Sequence, residues 1–402
     1  MEHNRKRIKK GVFIMKKILL ISDNKIFGHG GGCLEEHKYY DGLKKYAVRN
    51  KCLFKVLSID SELENSFPAK IVKNRSYDIL SRLFGHSSYM YFVWIYNRKA
   101  IIKFKPDLLV IGRSRMGFIA RDIKKNLPTC RIVCNMENVE YDYVNGYFTG
   151  KLNLLKKIYI FFEKIYVKRD EKMAVKYADK LNFLSTRDRD RTYQLYEKIS
   201  KNQMILPICI EKETKLQLIS KNRTVVFIGS LNYASNVDAL VDFIENVWKP
   251  YFANSTNVSL VIGGNNPAKR ITKLIENIDN CILYANFNRL EDIVPKDSMM
   301  IAPIRKGAGM KVKVAETLSM GLVIAASDEA LVGYDRAIEN AIEDSIFRAN
   351  THQEYIDAIK KYCNMSEHKL SIICKKNKAI YKEFYSYTVS RKSIYQMCND
   401  LL

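Results

Sequence analysis

The sequence predicts an α/β protein built from two doubly wound parallel-sheet domains in tandem, and three observations carry that prediction. Short apolar runs of strand length alternate with helical patterns along most of the chain. The alternation is interrupted by a polar stretch between Glu211 and Arg223 and then restarts. A length of 402 residues suits two or three domains with substantial cores.

The first series opens at Ile18-Leu19-Leu20-Ile21, a fully buried strand, followed by the glycine-rich turn Gly28 to Gly32 and a helix from about Leu34 to Tyr46. Further strands fall at Phe54–Ile59, Leu108–Ile111, Ile132–Cys134 and Leu181–Leu184. The second series begins at Val225–Ile228 and continues through Val258–Ile262, Ile282–Tyr284, Met299–Pro303, Leu322–Ala325 and Ser345–Phe347. The expected division is 1–215 and 216–380. After His352 only helical periodicity remains, and the segment from about 380 to 402 is expected to return to the first domain and complete it. Coverage of the second sheet alone is the alternative.

Composition narrows the class. With 47% hydrophobic and 27% charged residues the chain is globular. Nine scattered cysteines without a C-x-x-C pair indicate neither a disulfide framework nor a zinc site and fit a reducing cytosol. No apolar run approaches the roughly 20 residues of a membrane span. The basic cluster before Met15 is followed by too short an apolar segment for a secretory signal, and Met15 is an alternative start to Met1.

The net charge of +24 is uneven: residues 1–200 hold 41 Lys and Arg against 21 Asp and Glu, while the remainder is nearly balanced. Such a field implies an anionic partner. Lys151 to Lys180, nine basic residues interleaved with Leu154, Leu155, Ile158, Phe161, Phe162, Ile165 and Tyr166, reads either as an amphipathic helix for anionic lipid or as a core-facing stripe with a solvated basic back. Tyr89 to Lys99 has the same aromatic-then-basic character.

Three strand-end loops have the character of ligand sites, since open α/β sheets bind ligands beyond the carboxyl ends of their strands. The first is His29, Gly30, Gly31 and Gly32, where backbone amides are accessible; a plain tight turn is the alternative. The second is Gly229-Ser230-Leu231-Asn232, with Asn236 placed to cap a helix beginning at Val237. In the third, a strand empties into Gly307-Ala308-Gly309-Met310 and then a helix carrying Lys311, Lys313 and Glu316. Cations at the positive end of a helix are unfavourable unless an anion sits there, and a carboxylate one turn deeper suits ribose hydroxyls.

The segment from Ile301 to Gly333 resembles the donor-site signature of glycosyltransferase family 4 (group 1) at Pro303, Gly307, Gly309, Lys313, Glu316 and Gly321. Phe227 to Tyr233 with Asn236 is similar to the same family, and a weaker similarity covers Gly30–Gly32 and Glu137–Tyr141. The resemblance implies the GT-B architecture, two Rossmann-like domains facing across a cleft, and a transferase that needs neither metal nor cofactor and takes a nucleotide-sugar as co-substrate. It implies donor contacts at Gly229, Ser230, Asn232, Gly307, Gly309, Met310, Lys311, Lys313 and Glu316. Catalytic roles fall on Glu137, Arg305 and Lys311, and His29 with Gly30–Gly32 would meet the acceptor or a phosphate; helix capping is the alternative for Glu137 and Glu140, and simple exposure for His29.

Two departures stand out: Ala308 occupies a position where many relatives have a glutamate, and Glu137 one where others have a histidine. The expected activity is transfer of a sugar to a lipid-linked or polysaccharide acceptor in surface glycan biosynthesis, with retention of configuration. The expected setting is the cytoplasm, peripheral to the inner face of the plasma membrane, held by the basic first domain to anionic lipid. A non-catalytic GT-B partner subunit is the alternative. No nucleic-acid partner is expected, as no recognition signature accompanies the charge.

Overall fold

The computed structural model describes residues 15–28, 30–59, 63, 65–67, 75–147, 154–196 and 202–402. His29, the basic cluster before Met15 and Lys151 lie outside them. The first domain runs β1 (Lys17–Ile21), α1 (Gly31–Arg49), β2 (Leu53–Leu57), α2 (Arg75–Leu83), α3 (Met90–Phe104), β3 (Leu108–Ile111), α4 (Gly117–Asn126), β4 (Arg131–Met136), α5 (Glu140–Tyr147), α6 (Leu154–Tyr177), β5 (Lys180–Phe183), α7 (Thr186–Tyr196) and β6 (Asn202–Ile205). The second runs β7 (Arg223–Ile228), α8 (Ala234–Phe243), a π turn, α9 (Lys249–Tyr251), β8 (Val258–Gly264), α10 (Lys269–Ile275), β9 (Cys281–Ala285), β10 (Met299–Ala302), α11 (Val312–Met320), β11 (Val323–Ala326), α12 (Asp335–Asn340) and β12 (Ile346–Arg348). Three helices close the chain: α13 (His352–Cys363), α14 (Glu367–Phe384) and α15 (Tyr387–Leu401).

Each domain holds one six-stranded sheet, ordered β2-β1-β3-β4-β5-β6 in the first and β12-β11-β10-β7-β8-β9 in the second. All strand pairs are parallel. Parallel sheets require both faces covered, which is why β1, β3, β10 and β11 read as unbroken apolar runs rather than alternating ones.

The chain crosses between domains twice, and the two crossings lie side by side: the Ile210 amide donates to the Tyr385 carbonyl at 2.8 Å and the Tyr387 amide returns to the Ile210 carbonyl at 3.2 Å. Beyond them α15 packs on α1, with Ile394, Met397 and Cys398 buried beside Leu43 and Tyr46. A Cβ on Gly42 would lie 2.6 Å from Ile394 Cδ1, so glycine is what lets the two helices approach. Arg391 pairs with Asp41 at 2.6 Å, and Tyr46 donates to Asn399 at 2.9 Å.

Candidate active site

In each sheet the strand order reverses once, between β1 and β3 in the first and between β7 and β10 in the second. A crevice opens at such a reversal because the loops on either side lead to opposite faces of the sheet. The two crevices face one another. Between them lies a cavity of about 510 Å³, walled on one side by Asp23, Gly31, Arg113 and Glu137 and on the other by Tyr233, Ala308, Met310 and Val312.

Helices α1, α5, α8 and α11 begin at this cavity, and in one of them, α5, the first amides, of Glu140 and Tyr141, donate to Glu171. Gly31 and Val312 are the first residues of α1 and α11, Tyr233 immediately precedes α8, and no side chain caps any of these three starts. The opening amides of a helix have no carbonyl one turn back to donate to, and an uncapped start beside a cavity suits an anion. Gly30, at φ 105°, supplies the turn into α1 that a larger residue would strain to make.

Beside the second-domain wall, polar side chains gather around Lys313 at the end of β7. Lys313 Nζ donates to Asn236 Oδ1 at 3.1 Å and stands 4.2 Å above the Phe227 ring. Burial pushes its pKa down to about 7, with Glu316 opposing. One turn further on, burial raises the Glu316 carboxyl above the usual range, offset in part by Lys313. Gly229 fits beneath this group because a Cβ there would come within 3.2 Å of Lys313 Nζ. Ser230 donates to Asn232 at 2.6 Å, and Asn236 reaches back to the Ser230 carbonyl at 3.0 Å. Asn236 therefore lies in the first turn of α8 and ties the loop to Lys313, where the sequence pattern had it capping a later helix start.

The first-domain wall consists of paired charges. Arg113 Nε donates to Glu137 at 3.0 Å and lies 3.6 Å from Asp23. Arg115 bridges Glu140 and Glu163, both at 2.6 Å, and Arg82 meets Glu163 at 2.9 Å. Burial works against the Arg113 cation, yet Asp23 and Glu137 outweigh it and hold its pKa well above the ordinary value. Burial likewise opposes ionisation of Glu140, and Arg115 with Arg113 overcomes it, leaving that carboxyl below the usual range. Behind them, Glu36 is pushed well above the carboxylate range by burial and by Glu137 and Asp23. Gly112 is required there: a Cβ would lie 1.8 Å from Glu36 Oε1.

The two walls touch. Gly309, at φ 64°, leaves room for Asn138, whose Oδ1 would be 2.1 Å from a Cβ, so the glycine loop lies against the segment after β4. Arg187 of α7 pairs with Glu329 at 2.7 Å, and Glu329 with Lys311 at 3.0 Å.

Among the residues singled out from the sequence, Glu137, Gly31, Gly32 and Met310 line the cavity. Gly229, Lys313 and Glu316 lie together at the end of β7, with Ser230 and Asn232 in the adjoining loop, and none of these five lines the cavity; Gly307 opens on a neighbouring hollow beside Arg187 and Asp188. Two expectations need correction. Arg305 does not face the cavity: it bonds His352 at 3.0 Å and Asp242 at 3.2 Å on the far side of its loop. Lys311 does not present its charge to the cavity either; its ammonium donates to the Gly309 carbonyl at 2.8 Å and to Glu329, clamping its own loop. The sequence reading passed over Arg113, Arg115 and Asp23, although Ile111-Gly112-Arg113 follows a strand end as plainly as the loops it selected.

Two doubly wound domains facing across a cleft have the GT-B architecture. Residues 222–364 match the family described as Glycosyl transferases group 1. Solved structures agree over nearly the whole chain. A glycosyltransferase from Rickettsia africae covers 97% of this chain and 99% of its own at 11% identity, with a TM-score of 0.65. Anabaena HepE, solved with UDP and glucose, covers 96% and 100% at 12% identity, with a TM-score of 0.66. A Klebsiella pneumoniae protein described as an uncharacterized 44.6 kDa protein in the cps region is 26% identical over 241 residues. That match spans 53% of this chain and 60% of the Klebsiella protein.

Proposed function

We propose that the protein moves a sugar from a nucleotide-sugar donor to a hydroxyl of a lipid-linked or polysaccharide acceptor in surface glycan assembly. The observation that carries this reading is the meeting of three uncapped helix starts with the Lys313–Glu316 pair at the second-domain reversal point. The donor diphosphate sits against the first amides of α8 and α11, Lys313 supplies a cation, and Glu316 accepts the ribose hydroxyls. As the sugar leaves, the diphosphate gains charge, and oriented amides with a restored Lys313 cation stabilise that charge without reorganising. In this reading neither a metal nor a cofactor is needed.

Across the cleft, Asp23, Glu137 and Glu140 are hydrogen-bond acceptors suited to the acceptor's hydroxyls, and Glu137 is the group closest in character to a proton acceptor. In this reading the configuration is retained, the assignment is to family 4, and the setting is the cytoplasmic face of the plasma membrane; by analogy, HepE with its UDP and glucose supports the nucleotide-sugar donor, and the cps-region relative supports the surface-glycan role.

A thermal-shift panel of UDP-, GDP- and dTDP-sugars tests it. One nucleotide class should raise the melting temperature, and Glu316→Ala should remove that rise and lower transfer by about 100-fold or more while keeping the apo melting temperature within a few degrees. A folded protein stabilised by none of them would favour a non-catalytic partner subunit, which Ala308 in place of a carboxylate already suits.

A further inference from the structure

A second concavity, about 400 Å³, lies on the first domain between α3, α4 and α6 and is separated from the cleft by one short segment: Ser87 and Ser88 line the cleft, while His86 lines this groove. Its floor is aromatic. His86 stacks on Tyr91 at 4.1 Å and packs edge-on to Phe118 at 4.8 Å. Trp94, buried, donates its indole N–H to Asp122 at 3.0 Å. Its rim is cationic: Arg98 neutralises Asp122 at 2.6 Å, and Arg169 is held by the Gly85 carbonyl and Asp170. Arg121 and Lys125, one turn apart on α4, are exposed and form no ion pair among the described residues.

The groove runs without a break into an apolar ridge. Phe84 lies against Tyr91, with ring centroids 6.0 Å apart, and a Cβ on Gly85 would be 3.3 Å from Arg169 and 3.7 Å from Tyr166. Tyr166 in turn stacks on Phe162 at 6.2 Å. Along this ridge Leu83 is 77% exposed, Phe84 60% and Phe161 61%, with Lys164 and Lys168 interleaved on α6. A soluble domain rarely leaves so much large apolar surface in one place, and a free anion would need none of it.

We propose that this groove and ridge are a docking site for an anionic phospholipid, the headgroup phosphate meeting Arg121 and Lys125 and the acyl region covering Leu83, Phe84 and Phe161. The aromatic floor suits the headgroup level, where one face is apolar and the other wet. The ridge shares α2 with the cleft wall, whose Asp78 and Arg82 belong to the same helix, so docking brings the cleft mouth to the lipid surface. The proposal takes its purpose from the reading of a lipid-linked acceptor, but its test does not depend on transfer.

The chain has two tryptophans, and Trp248 is buried in the second domain, so a change in emission on ligand addition reports on Trp94. Full-length protein is floated with phosphatidylcholine vesicles containing or lacking phosphatidylglycerol. Wild type should bind only the anionic vesicles, with a shift of Trp94 emission. Arg121→Gln with Lys125→Gln should weaken binding by about tenfold or more, and Leu83→Ser by several-fold, with nucleotide-sugar stabilisation unchanged. Equal binding by wild type and the double variant, or no binding to anionic vesicles, would overturn the proposal. So would an emission shift with glycerol phosphate equal to that with vesicles, which marks a site for a soluble anion, or retention on DNA in place of vesicles. Loss of nucleotide-sugar stabilisation in the wild type would instead count against the transferase reading alone.

Discussion

The two reversal points share a topology and differ in chemistry. In the first domain the loops after β1, β3 and β4 place Asp23, Arg113 and Glu137 in mutual contact, backed by Arg115, Glu140 and Glu163. In the second, the segments after β7 and β10 bring glycines, amides, two lysines depressed by burial, Lys311 and Lys313, and one raised glutamate. The first wall has no cationic surplus, although its half of the chain carries almost all of the protein's excess positive charge. That excess therefore reports a surface, including Arg121, Lys125, Lys164 and Lys168, and does not locate the place where a diphosphate fits. Net charge is a property of the field outside the protein, whereas an anion site needs a few oriented donors in a confined space.

The sharpest way to break the comparison is to remove the central cation of each wall. Arg113→Leu strands Glu137 and Asp23 in a buried site and leaves Glu36 beside them, which should cost about 3–5 kcal/mol of unfolding free energy. Adding Glu137→Gln should recover part of it. Lys313→Leu removes a lysine already disfavoured by burial and should leave chemical denaturation midpoints nearly unchanged while donor affinity falls. Equal destabilisation by the two substitutions in urea unfolding would erase the distinction between a structural charge network and a ligand site.

Much of the fold was legible because parallel strands buried on both faces are unbroken apolar runs: Leu108–Ile111 is strand over the same four residues in sequence pattern and structure. β6 was not legible. Its residues, Asn202-Gln203-Met204-Ile205, are largely solvent-facing at the sheet edge, so no apolar run marks them. The segment after β10 stands out in the sequence for a related reason, since a two-glycine loop followed by lysines and a glutamate at a helix start has few purely structural explanations. The first-domain wall was not, because it is assembled from single charged residues after three separate strands, and their pairing exists only once the sheet has formed. Arg305 and Lys311 show the limit from the other side: a cation in the right loop is drawn to whichever carboxylate the fold brings near, here Asp242 and Glu329.

Between the two walls, Lys313 offers a titration that the first domain cannot imitate. Burial disfavours its cation and pushes its pKa down to about 7. On the proposed reading, a diphosphate bound beside it would restore the cation and carry the pKa back toward its ordinary value. Below pH 7 the lysine is protonated both free and bound, and affinity is flat. Above pH 7 binding must take up a proton, so affinity should fall by up to tenfold per pH unit until the pKa of the complex is reached. Calorimetry at pH 8 in two buffers of different ionisation enthalpy should show close to one proton taken up per donor bound, and Lys313→Met should abolish both the uptake and the slope. A pH-independent affinity between 7 and 9 would place the diphosphate elsewhere.

The smallest effect is expected where the walls are tied together. Glu329 receives Arg187 from the first domain at 2.7 Å and Lys311 from its own at 3.0 Å, and Arg187 is well exposed to solvent. A screened pair of this kind contributes little, so Glu329→Gln should change global stability by under about 1 kcal/mol. Its consequence lies in the loop. Burial already lowers the Lys311 pKa and Glu329 opposes that lowering, so the substitution should depress it further and free the ammonium from its clamp. With the interdomain tie gone, the cleft should open slightly more often, visible as a larger radius of gyration in solution scattering and a higher KM for donor with kcat nearly preserved. If kcat fell and KM held, Lys311 would be touching the reacting groups in the closed state, and the division between a carboxylate-lined wall and an amide-lined wall would need a cation contributed from the seam itself.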